Sequence, residues 1–399
     1  MSTGTRKGAS TDVAWKKVSG NLVALLIGYL LSEIFLVPLV LPFVTIRQLA
    51  LLPRSLVVLA QSSKAGIVPR DYTLILGDSY AEGQGDWAQA GLARGGRPDY
   101  GSAHVLHART GEDVITFGVG GADSVTALVK NPVRRTFALR RFLVGSPRRV
   151  LVYFYEGNDL DDNVGDVHRL LVEGEGLEAL DAPRIDSYLA REAARQQIFG
   201  WLDNFCLPGV LQNVLELAWK ERDMKAEPKP PPGRVFPVTV ARIADHDAPL
   251  APLMNGPALD LTEVEIGLGL RVFERALGFG RAFYAGVAMT VVYVPSPLTC
   301  YQLVGNEVTA RSDLRRPSTH PVAWVQERSR EIRRRIGAIA RDTGADFVDP
   351  TDALRALAAE VPIHGPGDWK HFNELGYRRL ADVITSAVFR CEVASAQEL

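Results

Sequence analysis

The sequence has little cysteine: Cys206, Cys300 and Cys391 are all there is in 399 residues. Far apart and odd in number, they build neither a disulfide framework nor a CxxC metal cluster, and each reads as a small buried apolar side chain. It also lacks a charge imbalance, because 45 basic residues face 46 acidic ones for a formal net charge of −1. With no basic stripe interleaved with aromatics, the electrostatic footprint of a nucleic-acid-binding protein is missing. Phosphate-cradling loops are missing too: neither GxGxxG after the first apolar strand nor GxxxxGK[ST] occurs. There is no internal repeat. What is present, 47% apolar and 23% charged residues, is the composition of a globular protein.

The N-terminus is different in kind. Residues 1–20 form a polar tail with Arg6, Lys7, Lys16 and Lys17, and the chain then turns apolar from Leu22 to Ile46. At about 1.5 Å per residue, residues 21–46 are long enough to cross a hydrocarbon core of roughly 30 Å with some tilt. They read as a membrane anchor, followed by a linker over residues 47–70. Glu33 falls near its middle, where an unpaired charge costs on the order of 3 kcal/mol, so it is expected to be paired or protonated. Pro38 and Pro42 interrupt the second half. The basic residues ahead of the span place the N-terminus in the cytoplasm and the following domain outside it, although Arg47, Arg54 and Lys64 make the asymmetry shallow. Val58 and Ala60 have the spacing of a signal-peptide cleavage site, but the apolar region exceeds the usual 7 to 15 residues, which favours an uncleaved single-pass anchor.

Five short apolar runs recur after the anchor: Tyr72 to Leu76, Asp113 to Phe117, Arg149 to Phe154, Ala288 to Val294 and Asp346 to Val348. They lack strict alternation, as strands covered on both faces do. Helical patterns over Ser102 to Arg109, Asp123 to Leu139 and Val322 to Arg341 lie between them, and the alternation predicts an α/β fold with a parallel, doubly wound sheet. Residues 71–395 are expected to form this domain, with an insertion at about 160–286. That insertion is too long for a crossover and contains helical patterns at Ile185 to Phe199, Gly209 to Arg222 and Leu261 to Phe283, broken by a Pro-rich surface loop at Pro228 to Pro232.

Chemistry concentrates at the ends of the strands, where a doubly wound sheet has its ligand crevice. The first run leads into Gly77-Asp78-Ser79, which makes Ser79 a candidate nucleophile; alone, Asp and Ser there also read as helix caps. The second ends at Phe117-Gly118-Val119-Gly120-Gly121, a turn whose backbone N–H groups are open to a developing oxyanion or serve only a tight bend. The third ends at Glu156-Gly157-Asn158-Asp159, and Asn158 is an uncharged donor suited to an oxyanion. Asp159, Asp161 and Asp162 read as an acidic cap of the next helix rather than a cation site. Near the C-terminus, Asp368 and His371 lie three apart, so that the carboxylate orients the imidazole. His104 and His107 share that spacing with no acidic third ligand and read as structural.

Taken in order, Ser79, Gly121, Asn158, Asp368 and His371 resemble the SGNH hydrolase superfamily, also called GDSL esterases and lipases, over roughly Tyr72 to Val388. The second block departs from the family pattern, since Thr116 or Phe117 stands where an asparagine often precedes the glycines, and Gly120 is an alternative to Gly121. The resemblance implies a three-layer α/β/α sandwich around a five-stranded parallel sheet of flavodoxin-like order. It implies a Ser79–His371–Asp368 triad and an oxyanion hole of Ser79, Gly121 and Asn158, with no metal or organic cofactor. The implied activity is hydrolysis of an acyl ester, O-acetyl above all, on an envelope carbohydrate or lipid at the membrane. Acyl transfer to an exported polysaccharide by the same triad is the alternative, as is a non-catalytic scaffold in an envelope complex; completeness of the residue set favours an enzyme.

Overall fold

The computed structural model describes residues 21–49, 51–202, 208–211, 213–214, 236–311 and 316–389. The polar tail, most of the Gly209 to Arg222 pattern, the Pro228 to Pro232 loop, Cys206, Cys391 and residues 390–395 lie outside them.

Eleven strands are described: β1 (Thr73–Leu76), β2 (Val114–Thr116), β3 (Arg149–Tyr155), β4 (Val240–Ile243), β5 (His246–Pro249), β6 (Met254–Asn255), β7 (Ala288–Val294), β8 (Gln302–Leu303), β9 (Glu307–Arg311), β10 (Ser318–Pro321) and β11 (Asp346–Val348). Five form the central sheet in the order β11-β7-β3-β1-β2, and every neighbouring pair is parallel. Thr73 is in register with both Val114 and Arg149. Every residue of β1 and β3 is buried, which explains why the strands read as continuous apolar runs.

The pleat divides these residues between two cores. Leu74, Leu76, Val150, Val152, Phe154, Val291 and Tyr293 pack on one face with residues of the helices Asn131–Leu139, Ala182–Leu202 and Glu263–Phe283. Ile75, Leu151, Tyr153, Tyr155, Val292 and Val294 pack on the other with Gly101–Thr110, Thr351–Ala358 and Glu374–Ile384. This is a three-layer α/β/α sandwich. The Glu263–Phe283 helix starts on a capping box, Thr262 with Glu265.

Two expectations need correction. The insertion is not purely helical: β4, β5 and β6 belong to it, and they pair with β8, β9 and β10 in two small three-stranded sheets. These strands are two to five residues long and several are partly exposed, too brief for a periodic signal. Nor is 47–70 a free linker. Within the helix Arg54–Ala60, Leu56, Val58 and Leu59 are fully buried in the first core. Gln61 then pairs with the outer edge of β2, donating to the Thr116 carbonyl at 2.9 Å and accepting the Thr116 N–H at 2.9 Å. The Ser63 carbonyl accepts the Val114 N–H at 2.8 Å, so the segment blunts an open sheet edge.

Among the described residues one helix, Asn21–Phe43, is long and apolar enough to cross a membrane. Glu33 does not stand alone in it: the carboxylate is 2% exposed and lies 3.5 Å from the Arg141 guanidinium.

Gln61→Ala removes the partner of the Thr116 N–H and one of two donors to the Thr116 carbonyl, which Arg135 also reaches at 3.5 Å, and is expected to cost about 1–3 kcal/mol, read as a lower urea midpoint at an unchanged slope. An unchanged midpoint would show that the β2 edge is held by other contacts.

Candidate functional site

Ser79 begins a four-residue helix, Ser79–Glu82, directly after β1. The connection bends at Gly77, whose φ of +150° and contacts leave no room for a side chain: a Cβ there would meet Ala81 Cβ at 2.9 Å. Asp78 caps the helix by accepting the Tyr80 N–H at 2.9 Å.

The His371 loop comes from the other end of the chain and meets this turn. His371 Nδ1 lies 2.7 Å from Asp368 Oδ2, and Nε2 lies 2.8 Å from Ser79 Oγ. A carboxylate only accepts, so Nδ1 carries the proton in the neutral ring and Nε2 is the free acceptor facing the serine. Asp368 also accepts the backbone N–H groups of Lys370 at 2.8 Å and His371 at 3.2 Å. Partial burial works against its charge, but the hydrogen bond and charge of His371 and these two N–H groups hold Asp368 below the usual carboxylate range. The Ser79 hydroxyl, the imidazole and the carboxylate form one unbroken relay.

Several contacts fix the loop against the turn. Tyr80 donates its hydroxyl to the Lys370 carbonyl at 2.7 Å, and its ring centroid lies 5.3 Å from that of His371. The Gly367 N–H donates to Asp86 at 2.9 Å, and the Tyr377 hydroxyl donates to the Gln84 carbonyl at 2.6 Å. Gly85, at φ +131°, sits so near that a Cβ would meet the Phe372 carbonyl oxygen at 2.5 Å. Asn373 caps the following helix by accepting from the Leu375 and Gly376 N–H groups. Behind the loop, burial pulls the His364 imidazole down to about 3, so it stays neutral beside Tyr301.

The glycine turn distinguishes its two candidates. Gly120 donates its N–H to the Glu82 carboxylate at 2.8 Å. Gly121 is exposed, adopts φ +69°, and has open space around its Cα. Its N–H is therefore the better placed to meet a ligand. Asn158 is buried and donates one amide hydrogen to Asp162 at 2.7 Å, which orients the group and leaves the second hydrogen for another acceptor. The loop before it is pinned by Glu156, a fully buried carboxylate that accepts from the Ser296 N–H at 2.7 Å, the Ser296 hydroxyl at 2.8 Å and the Ser329 hydroxyl at 2.8 Å, with Tyr293 and Thr299 adding theirs. From the insertion, Asn255 of β6 donates to the Gly157 carbonyl at 3.3 Å. Asp159, Asp161 and Asp162 stand in the first turn of the helix Asp159–His168, but the N-cap is Asn158 without a side-chain cap hydrogen bond, and Asp159 accepts instead from the Tyr155 N–H of β3 at 2.9 Å. His107 Nδ1 binds the Glu112 carbonyl at 2.6 Å, and His104 packs edge-on against Trp87.

Two features escaped sequence reasoning. Asp78 Oδ2 lies 3.2 Å from Ser79 Oγ, so one hydroxyl proton faces two acceptors. Burial is the main force pushing the Asp78 carboxyl above its usual range, against the Tyr80 N–H and the charge of His371. Burial and the neighbouring charge of Asp78 push Asp159 up as well. The second feature is a cavity of about 420 Å³ lined among others by Leu52, Gln61, Glu82, Tyr100, Gly118 and Arg135; neither Ser79 nor His371 borders it.

No protein-family model matches the chain, and no curated protein matches it. Among solved structures it is similar to LAE5, an α/β-hydrolase enzyme from the metagenome of Lake Arreo, Spain, with 14% identity and a TM-score of 0.30 over 80% of this chain and 95% of that one. Likeness of that size carries no argument about activity, which rests on the residues of this chain.

Asp78 gives a pH signature. Its folded pKa is raised, so its contribution to stability is complete below the usual carboxylate pKa and is lost as pH rises. Asp78→Asn keeps an N-cap acceptor and removes the charge. The variant is expected to melt above wild type at neutral pH, with the gap closing towards roughly pH 4. A variant no more stable at neutral pH would contradict a strained Asp78 carboxylate.

Proposed function

We propose that the protein is a serine esterase. The observation that carries this reading is the 2.8 Å contact between His371 Nε2 and Ser79 Oγ, backed by the 2.7 Å contact of Nδ1 with Asp368. A hydroxyl is a weak nucleophile until a base removes its proton as it attacks. His371 takes that proton when Ser79 Oγ bonds to the ester carbonyl carbon, and Asp368 holds the tautomer and stabilises the imidazolium. Charge then develops on the former carbonyl oxygen. The Ser79 N–H, the Gly121 N–H and the second amide hydrogen of Asn158 are the proposed donors to it. His371 returns the proton to the leaving alcohol, and water repeats the sequence on the acyl-serine to release the acid. No step needs a metal or organic cofactor.

A helix that can cross a membrane, joined to this domain, suits an ester on an acylated envelope carbohydrate or a lipid better than a free cytosolic metabolite. In this reading the chain is a single-pass membrane protein whose catalytic domain faces the extracytoplasmic side. A small acyl group, acetyl above all, is the proposed leaving acid.

Turnover of p-nitrophenyl acetate against longer acyl esters tests the proposal. Ser79→Ala is expected to abolish it, and Asn158→Ala to lower kcat by about 10²- to 10³-fold with an unchanged circular dichroism spectrum. Equal turnover by wild type and Ser79→Ala would refute the serine mechanism.

A further inference from the structure

The course of the apolar helix along the domain sets an orientation. Glu33 meets Arg141, in the turn Arg140–Phe142 that follows the helix Asn131–Leu139 and leads down to the start of β3. That is the amino end of the sheet. Farther along, the Ile46 N–H donates to the Gly96 carbonyl, and Leu49 and Leu52 line the cavity bounded by Glu82 and Gly118, at the carboxyl end of β1 and β2. The second half of the helix thus climbs the side of the domain, with Pro38 and Leu41 buried. Residues 21–28 are exposed all round and project beyond the amino end of the sheet.

This leaves too little free helix for a bilayer. The apolar run begins at Leu22, so Glu33 is about 17 Å along the axis, short of a core of roughly 30 Å. Beyond Glu33 the outward stripe stays apolar, with Phe35, Leu36, Leu39, Val40 and Phe43 at least half exposed. The domain face beside it has matching character. Leu143 is 89% exposed at φ +57°, three residues after Arg140, which is exposed and stacks on Phe137. Ile198 is exposed on the helix Ala182–Leu202, which packs against Asn131–Leu139.

Resting on the membrane-anchor reading, we propose that the amino end of the domain is seated in the lipid bilayer. The Arg140–Val144 loop passes below the headgroups, with Leu143 among acyl chains and Arg140 reaching back along its stem to anionic headgroups, and the Glu33–Arg141 pair is the fixed point between anchor and domain. Leu143 supplies apolar area and Arg140 supplies charge, the two terms of interfacial binding. The Ser79 site then faces away from the lipid. It lies beyond β3, whose seven residues span about 20 Å at roughly 3.3 Å each. This geometry favours an ester on a water-exposed glycan over one on a bilayer lipid.

Photo-crosslinking of the full chain, reconstituted in vesicles of phosphatidylcholine and phosphatidylglycerol, tests the seating. A benzophenone-bearing residue replaces Leu25, Leu143 or Val264 in turn. Leu25 reports the helix itself, and Val264 is exposed at the start of a 21-residue helix whose other end leads to Tyr284, 3.5 Å from Thr136 near the amino end. Lipid adducts at Leu25 and Leu143, each about tenfold or more above Val264, are expected when two sites sit in lipid and the third in water. Adducts at Leu25 but not Leu143 would overturn the seating and leave the anchor reading intact. Absence of adducts at both would overturn the anchor and the seating together, and adducts at Val264 equal to those at Leu143 would overturn the orientation.

Discussion

The contact between His371 and Ser79 joins two segments 292 residues apart, and the arrangement of the site depends on it. Neither the β1 turn nor the Asp368–His371 loop is informative by itself. Their meeting is enforced from several directions: Tyr80 on the Lys370 carbonyl, Asp86 on the Gly367 N–H, Tyr377 on the Gln84 carbonyl, and Gly85 against the Phe372 carbonyl. These contacts hold the imidazole against the hydroxyl before any ligand arrives, and in the proposed mechanism that preorganisation lowers the entropy cost of reaction.

The parallel sheet explains why the pieces converge. β1, β2 and β3 are neighbours in one sheet, so the segments after them open at one end. Buried polar groups then fix each segment separately: Asp78 as a cap, Glu156 under the Asn158 loop and Asp162 on the Asn158 amide. The burial that raises the Asp78 carboxyl is a cost concentrated beside the candidate nucleophile, as expected where stability is traded for chemistry.

Much of this was legible in the sequence. The five central strands were, because burial on both faces leaves continuous apolar runs; Ser79, Asp368 and His371, marked by a strand end and a three-residue spacing, lie within hydrogen-bonding distance of one another, and the oxyanion role of Asn158 is a proposal. Glu33 was recognisable as a charge needing a partner, but Arg141 was not, since 108 residues separate them. The edge pairing of Gln61 and the close approach of Gly85 are relations between distant backbones and leave no local pattern. Residues 47–70 read as a linker because they lie between the apolar run and the first strand, yet Leu56, Val58 and Leu59 carry the apolar area that sinks the segment into the core. Asn255 shows the same limit, since nothing in a two-residue strand announces that it braces the Gly157 carbonyl.

Activation of Ser79 by His371 is open to covalent labelling with a fluorophosphonate probe, the modified residue being located by mass spectrometry. A single adduct on Ser79 is expected, formed slower by on the order of 10³-fold or more in His371→Ala while that variant stays folded. Labelling of another residue, or equal rates in the two proteins, would contradict it.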